Sequence, residues 1–189
     1  MDTGIAILLT ILIPFAAVFT NLIFRNNPNL RDGITLGAAI ATFVTVLVIL
    51  SNEGNVTSQT YVFSTVMPGL DLAFNVEPLG LMFAIIASGL WILTHLYGIG
   101  YMRGNNEDNH PRFFACFAFA ISSVMGIAFS ANMFTLFLFY EALTVSTYPL
   151  VAHKGTKESI SGARTYLGIL IGTSIALQLV AVIWTYSVA

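Results

Sequence analysis

Asn132-Met133-Phe134-Thr135-Leu136-Phe137-Leu138-Phe139-Tyr140-Glu141-Ala142-Leu143-Thr144-Val145-Ser146-Thr147-Tyr148-Pro149-Leu150 is apolar along almost its whole length, yet it carries one carboxylate near its centre. About 20 mainly apolar residues suffice to cross roughly 30 Å of hydrocarbon as a helix, so this stretch reads as a membrane span. With Asn132 and His153 as its ends, a rise of about 1.5 Å per residue places Glu141 about 14 Å from one end and about 18 Å from the other. That is the midplane. Between Arg112 and Lys154 the chain runs 41 residues with no other formal charge. A carboxylate at such depth costs about 3 kcal/mol or more, and such groups persist where a proton or ion needs them. Glu141 is therefore the candidate functional residue.

Helical spacing puts Thr144 and Tyr148 at i+3 and i+7 from Glu141, so two hydroxyls share its face toward one membrane surface. His153 closes the same span beside Lys154. Pro149 releases the carbonyl of Val145 from its usual helical bond and adds an acceptor near the acid. The proton affinity of Glu141 then depends on the partner that approaches it. No Lys or Arg falls within the predicted spans. The competing reading of Glu141 is a protonated side chain that bonds a neighbouring helix and carries nothing.

Composition agrees with a membrane protein. Of the 189 residues, 57% are hydrophobic and 8% charged, with a net charge of -2, and the mean hydropathy is +0.84; soluble domains average about 25% charged residues. Apolar windows predict six spans, at 5–24, 33–50, 79–99, 113–130, 133–152 and 165–186. The seven basic residues fall in alternate connections: Arg25 and Arg31 after the first span, Arg103 and Arg112 after the third, Lys154, Lys157 and Arg164 after the fifth. By the positive-inside rule these loops are cytoplasmic and both termini lie outside a bacterial-type inner membrane. The N-terminus lacks the basic start of a cleaved signal, so the first span is expected to be retained.

The long outer connection, 51–77, contains no Lys or Arg. Its Leu70-Asp71-Leu72-Ala73-Phe74-Asn75-Val76 alternates large apolar with polar or small residues, a strand period; with residues 61–67 before it and Pro68-Gly69 between, it predicts a β-hairpin. Pro78 suits the first turn of the third span. The fold class is thus an all-α membrane protein of about six helices with a small extracytoplasmic hairpin between helices 2 and 3. Ser122, Gly126 and Ser130, and again Gly168 and Gly172, recur at helix-contact spacing and predict close helix packing. Ser174 and Gln178 share one face of the sixth span, where they are expected to bond a neighbouring helix.

Other chemistry is sparse. Cys116 stands alone inside a span, so no disulfide framework is expected. His95, His110 and His153 have no metal-ligand spacing, no phosphate loop or nucleophile motif is present, and no cofactor or metal is expected. His95 and His153 are candidates for proton handling, because imidazole titrates near neutral pH. Nothing resembles a nucleic-acid surface.

The run from Phe113-Phe114 through Ser130-Ala131-Asn132-Met133-Phe134-Thr135-Leu136-Phe137-Leu138-Phe139-Tyr140-Glu141 to Ser146-Thr147-Tyr148-Pro149-Leu150 resembles the proton-conducting antiporter family. That family comprises multisubunit Mrp cation/proton antiporter subunits and the antiporter-like membrane subunits of respiratory complex I. Val76-Glu77-Pro78-Leu79-Gly80 and Gly100-Tyr101-Met102 resemble its landmarks around the third helix, and Gly155-Thr156 with Arg164-Thr165-Tyr166-Leu167-Gly168 is most similar to the D-type branch.

The resemblance implies a fourteen-helix fold in two inverted repeats, of which residues 1–112 would be the leading three helices with the hairpin and residues 113–189 the first half-repeat. It implies that Glu141 is the fifth-helix glutamate of a proton path, with Thr144, Tyr148 and His153 along it, and that its coupled lysine belongs to a broken seventh helix. Partners would be other membrane subunits, with protons and Na+ as the transported ions. Six spans without that lysine are not expected to conduct alone, and a fragment, a truncated product and one piece of a split subunit all stay open. The alternatives are an antiporter-like subunit of a complex I-related redox pump, a structural or vestigial subunit, and a small standalone transporter. On each, no catalytic chemistry is expected within this chain.

Overall fold

The computed structural model describes residues 2–52, 59–67, 70–105, 107 and 109–188. Its elements are α1 (Thr3–Ile23), α2 (Pro28–Asn52), β1 (Tyr61–Met67), β2 (Leu70–Phe74), α3 (Pro78–Gly104), α4 (His110–Ala128), α5 (Met133–Val151), α6 (Lys157–Thr173), a π-helical turn (Ser174–Leu179) and α7 (Val180–Val188). The last three form one continuous helix, so six helices are long and apolar enough to cross a membrane. This is a multi-pass membrane protein.

Local chemistry sets the helix starts. The Asp2 carboxylate accepts from the Gly4 amide, Asn132 Oδ1 from the Thr135 amide at 2.8 Å, and Thr156 Oγ1 from the Ser159 amide at 3.1 Å; each satisfies an amide that the first helical turn leaves without a partner. Pro28 opens α2, and Pro78 stands at the start of α3 after an extended Glu77, where a missing N–H costs nothing.

Several helices outrun their apolar windows, because a helix continues beyond hydrocarbon wherever its end is paired or solvated. The sixth begins at Lys157 rather than 165, and α2 begins at Pro28 rather than 33. The second difference corrects the expectation that Arg31 lies in a loop. Arg31 and Asp32 belong to the first turns of α2 and are buried, 2% and 4% exposed.

The helices pack in a chain of neighbours. α1 lies between α2 and α4, α3 leans on α2 and α4, α5 packs on α4, and the sixth span covers α5. Ile7 and Ile11 of α1, Val46 and Ile49 of α2, Leu81 of α3, and Met125 with Phe129 next to it at the end of α4 form the main core under Phe74 of β2. A second cluster joins Ala17, Ala39, Trp91 and Ala118.

Small residues have the predicted role in α4 only. A Cβ on Gly126 would stand 2.2 Å from the Phe139 ring, and Ser122 Oγ donates to the Ile11 carbonyl at 2.8 Å. Gly168 and Gly172 have nothing within 4 Å, so the close helix contact expected there is not made among the described residues. The reason is position: α6 lies at the edge of the bundle, and of its residues Ala163 is the buried one.

β1 and β2 pair antiparallel, Tyr61 opposite Phe74 and Met67 opposite Leu70, with register shifts between Val62 and Ser64 and between Thr65 and Met67. The Pro68-Gly69 turn lies outside the described residues. β2 is docked on the α4–α5 connection. The Ala131 amide donates to the Ala73 carbonyl and the Asn75 amide to the Phe129 carbonyl, both at 2.9 Å. Asn132 Nδ2 donates to the Asp71 carbonyl at 2.7 Å, and the Ala73 amide donates to Thr135 Oγ1 at 3.0 Å. The hairpin is thus tied to the N-terminal end of α5, two turns ahead of Glu141.

Candidate functional site

Glu141 projects from the middle of α5 toward the sixth span, where Ser174 Oγ donates to Glu141 Oε1. Ser174 is buried and is the first residue of the π-helical turn; Gln178 lies four residues on, its Oε1 3.5 Å from the same hydroxyl. A π turn inserts a residue into the α register and commonly marks a functional position in a helix. Here it presents Ser174 to the acid and brings Gln178 behind it. The expectation of a polar patch that bonds a neighbouring helix is met, and the neighbour is Glu141 itself.

The other predicted path residues are spread along α5. Thr144 is buried, with its hydroxyl donating to the Tyr140 carbonyl of its own helix at 3.0 Å. Tyr148 is half-buried in the last turns of α5. His153 lies past the helix end, its ring edge-on to Phe113 with centroids 5.5 Å apart and its carbonyl accepting from Arg112 Nη2 at 3.0 Å. Among the described residues no hydrogen bond joins Glu141 to Thr144, Tyr148 or His153. A proton moving between them would need water.

One polar cluster escaped the sequence reading. Asp32 accepts from Arg31 Nε at 2.8 Å through Oδ1 and from Arg103 Nη2 at 2.6 Å through Oδ2. The Arg31 guanidinium carbon lies 5.6 Å from the centroid of the Phe114 ring, within cation–π range. His95, 1% exposed, has Nε2 3.2 Å from the Asp32 carbonyl. A carbonyl only accepts, so Nε2 carries the proton and neutral His95 presents Nδ1 as a bare acceptor. The available signal was Pro28 one turn ahead of a charged pair, a helix start that the hydropathy window discards.

His95 and His153 line one cavity of about 560 Å³ at the basic-loop end of the bundle, together with Tyr97, Phe114, Phe117 and Leu150. Both Nδ1 atoms are buried and have no hydrogen-bond partner. Among the described residues no group of His, Cys, Asp and Glu is disposed to hold a metal ion.

Known proteins carry the same sequence features. Residues 66–114 match the family described as NADH-ubiquinone oxidoreductase (complex I), chain 5 N-terminus. NADH-quinone oxidoreductase subunit N of Desulforudis audaxviator (strain MP104C) is 28% identical over 185 residues, 93% of this chain and 35% of that protein. The Na(+)/H(+) antiporter subunit A1 of Staphylococcus aureus (strain bovine RF122 / ET3-1) is 27% identical over 147 residues, 75% of this chain and 18% of that protein. A Staphylococcus haemolyticus protein named as an antiporter subunit is 35% identical over 89 residues, 46% of this chain and 11% of that protein. The chain thus spans roughly a tenth to a third of the length of these relatives. With six spans and a hairpin between the second and third, the chain is similar to proteins of the proton-conducting antiporter-like type, among them Na(+)/H(+) antiporter subunits and an NADH-quinone oxidoreductase subunit.

Proposed function

We propose that this chain is part of a membrane subunit of a multisubunit monovalent cation/proton antiporter of the D-type branch, and that Glu141 takes up and releases protons in its path. The observation that carries the reading is a midplane carboxylate whose bonding partner is a buried hydroxyl at a π turn. A serine hydroxyl has one hydrogen and can serve one acceptor at a time. With Glu141 ionised, Ser174 donates to the carboxylate. With Glu141 protonated, the acid donates to Ser174 Oγ and the hydroxyl turns to Gln178 Oε1. Ser174 therefore keeps a hydrogen bond with the acid in both of its protonation states, so the change of charge need not break the link between the two helices.

Thr144, Tyr148 and His153 mark the descending side of the path toward the basic loops, with water linking them. Orientation follows from those loops: basic side cytoplasmic, both termini outside a bacterial-type inner membrane. The partners are other membrane subunits, the cation that tunes Glu141 is the lysine of the seventh helix that the resemblance implies, and the transported ions are protons and Na+. The test is Glu141→Gln in vesicles containing the assembled complex. Loss of cation-driven proton exchange with unchanged assembly supports the proposal, and unchanged exchange supports a structural subunit.

A second reading is a proton-translocating subunit of a complex I-related redox pump, favoured by the match to the Desulforudis subunit across nearly the whole chain. Co-purification separates the two: redox subunits accompany the chain in the pump and are absent from the antiporter.

A further inference from the structure

Two cavities adjoin at the basic-loop end of the bundle. The first, about 560 Å³, is the aromatic chamber between the end of α3, the start of α4 and the end of α5. The second, about 400 Å³, lies among loop residues and is lined by Arg112, Lys154 and Thr156. They share Glu107, His153 and Lys154. His153 lies just past the end of α5, about 18 Å along the chain axis from Glu141 at a helical rise, where hydrocarbon gives way to headgroups. Depth therefore orders the pair: an apolar chamber on the acyl side and a cationic one on the headgroup side.

The chamber has the size of a small-molecule site, for which about 300–1,000 Å³ is usual. Its wall includes His95 and His153 beside the aromatic side chains. We propose that the two cavities together bind one anionic diacyl phospholipid. Its acyl chain enters between Tyr97, Phe114, Phe117 and Leu150. The phosphate meets Lys154 and Arg112, whose two charges outweigh that of Glu107. Basic pockets between membrane helices on the cytoplasmic side commonly take such headgroups. His153 lines both this site and the proposed proton path, whereas Lys154 and Arg112 lie outside that path, so a test at Lys154 reads the lipid site separately from it.

The test is native mass spectrometry of the detergent-purified chain, equilibrated with equal amounts of phosphatidylglycerol and phosphatidylcholine of identical acyl chains, and separately with glycerol phosphate. Phosphatidylglycerol is expected to be retained over phosphatidylcholine. Lys154→Gln, at an exposed position, should lower its retention about fivefold and leave phosphatidylcholine unchanged, since each cation near the membrane surface contributes about that factor. Leu150→Trp, which fills the chamber, should reduce both lipids. Equal retention of the two lipids, a Lys154→Gln chain that keeps the preference, or glycerol phosphate bound as well as the lipid would each overturn the proposal.

Discussion

The hydroxyl of Ser174 donates to Oε1 of Glu141, tying the midplane acid of α5 to the π turn of the sixth span. The bond joins residues 33 apart, and Thr185 Oγ1, donating to Met133 Sδ at 3.7 Å, links the same two spans near the other end of the contact. Ser174→Ala removes the donor without adding bulk. A hydrogen bond to a charged group contributes about 1.5–3 kcal/mol, so proton exchange in vesicles should fall at least tenfold. Ser174→Thr keeps the hydroxyl and should retain most of the rate. If Ser174→Ala exchanges protons at the unaltered rate, the hydroxyl has no part in the path.

Asp32 is the other acid held between helices and, unlike the half-buried Glu141, it is buried. Two guanidiniums converge on it, Arg31 from its own helix and Arg103 from α3, joining the start of α2 to the end of α3. Asp32→Ala leaves Arg31 buried and unpaired, a change that costs about 3–5 kcal/mol. Arg103 is 43% exposed. Its removal leaves Asp32 paired with Arg31 and should cost less, since exposed partners of an ion pair contribute about 1 kcal/mol or below. Thermal unfolding in detergent should rank Asp32→Ala well below Arg103→Ala. The reverse order would show that Arg103 carries the pair.

These two acids show what could be read from residues alone. Glu141 stood out because it is a lone charge in an apolar run, a property of composition and depth. The six spans and the hairpin were legible for the same reason, through hydropathy length and strand alternation. Asp32 was hidden because Arg31 and Asp32 sit at the edge of an apolar window, where charges look like a loop. What buries them is Arg103, 71 residues away, and that is a tertiary fact. Ser174 was visible as a polar residue on a helix face, but its alignment with Glu141 depends on a π turn that no residue type announces. Gly168 and Gly172 differ in the opposite sense: the spacing suits close packing, and among the described residues no helix stands against them.

Glycine matters where another element closes on it. A Cβ at Gly80 would lie 2.0 Å from the Ala128 carbonyl oxygen, whereas at Gly126 it would meet the Phe139 ring at 2.2 Å. Backbone cannot rotate away, and a ring can shift. Gly80→Ala should therefore destabilise more than the 1–3 kcal/mol or so usual for overpacking, and Gly126→Ala should fall within it. Adding Phe139→Leu should recover part of the Gly126→Ala loss and none of the Gly80→Ala loss, as read by unfolding in detergent. Equal rescue of both would mean that the two glycines share one constraint.

Asn132 carries two loads at the N-terminal end of α5. Its Oδ1 caps the helix by accepting from the Thr135 amide, and its Nδ2 holds the hairpin through the Asp71 carbonyl. Asn132→Ala loses both, Asn132→Asp keeps the cap and loses the hairpin bond. Loss of an N-cap costs about 0.5–2 kcal/mol, and a hydrogen bond about 1 kcal/mol more. Hydrogen exchange at the Ala73 amide, bonded to Thr135 Oγ1 beside the clamp, reports the docking directly. Exchange there should quicken in both variants. In Asn132→Asp the amides in the first turn of α5 should stay protected, because an aspartate caps as well as an asparagine. If Ala73 exchanges no faster in either variant, β2 is held by its backbone bonds to residues 129 and 131 alone.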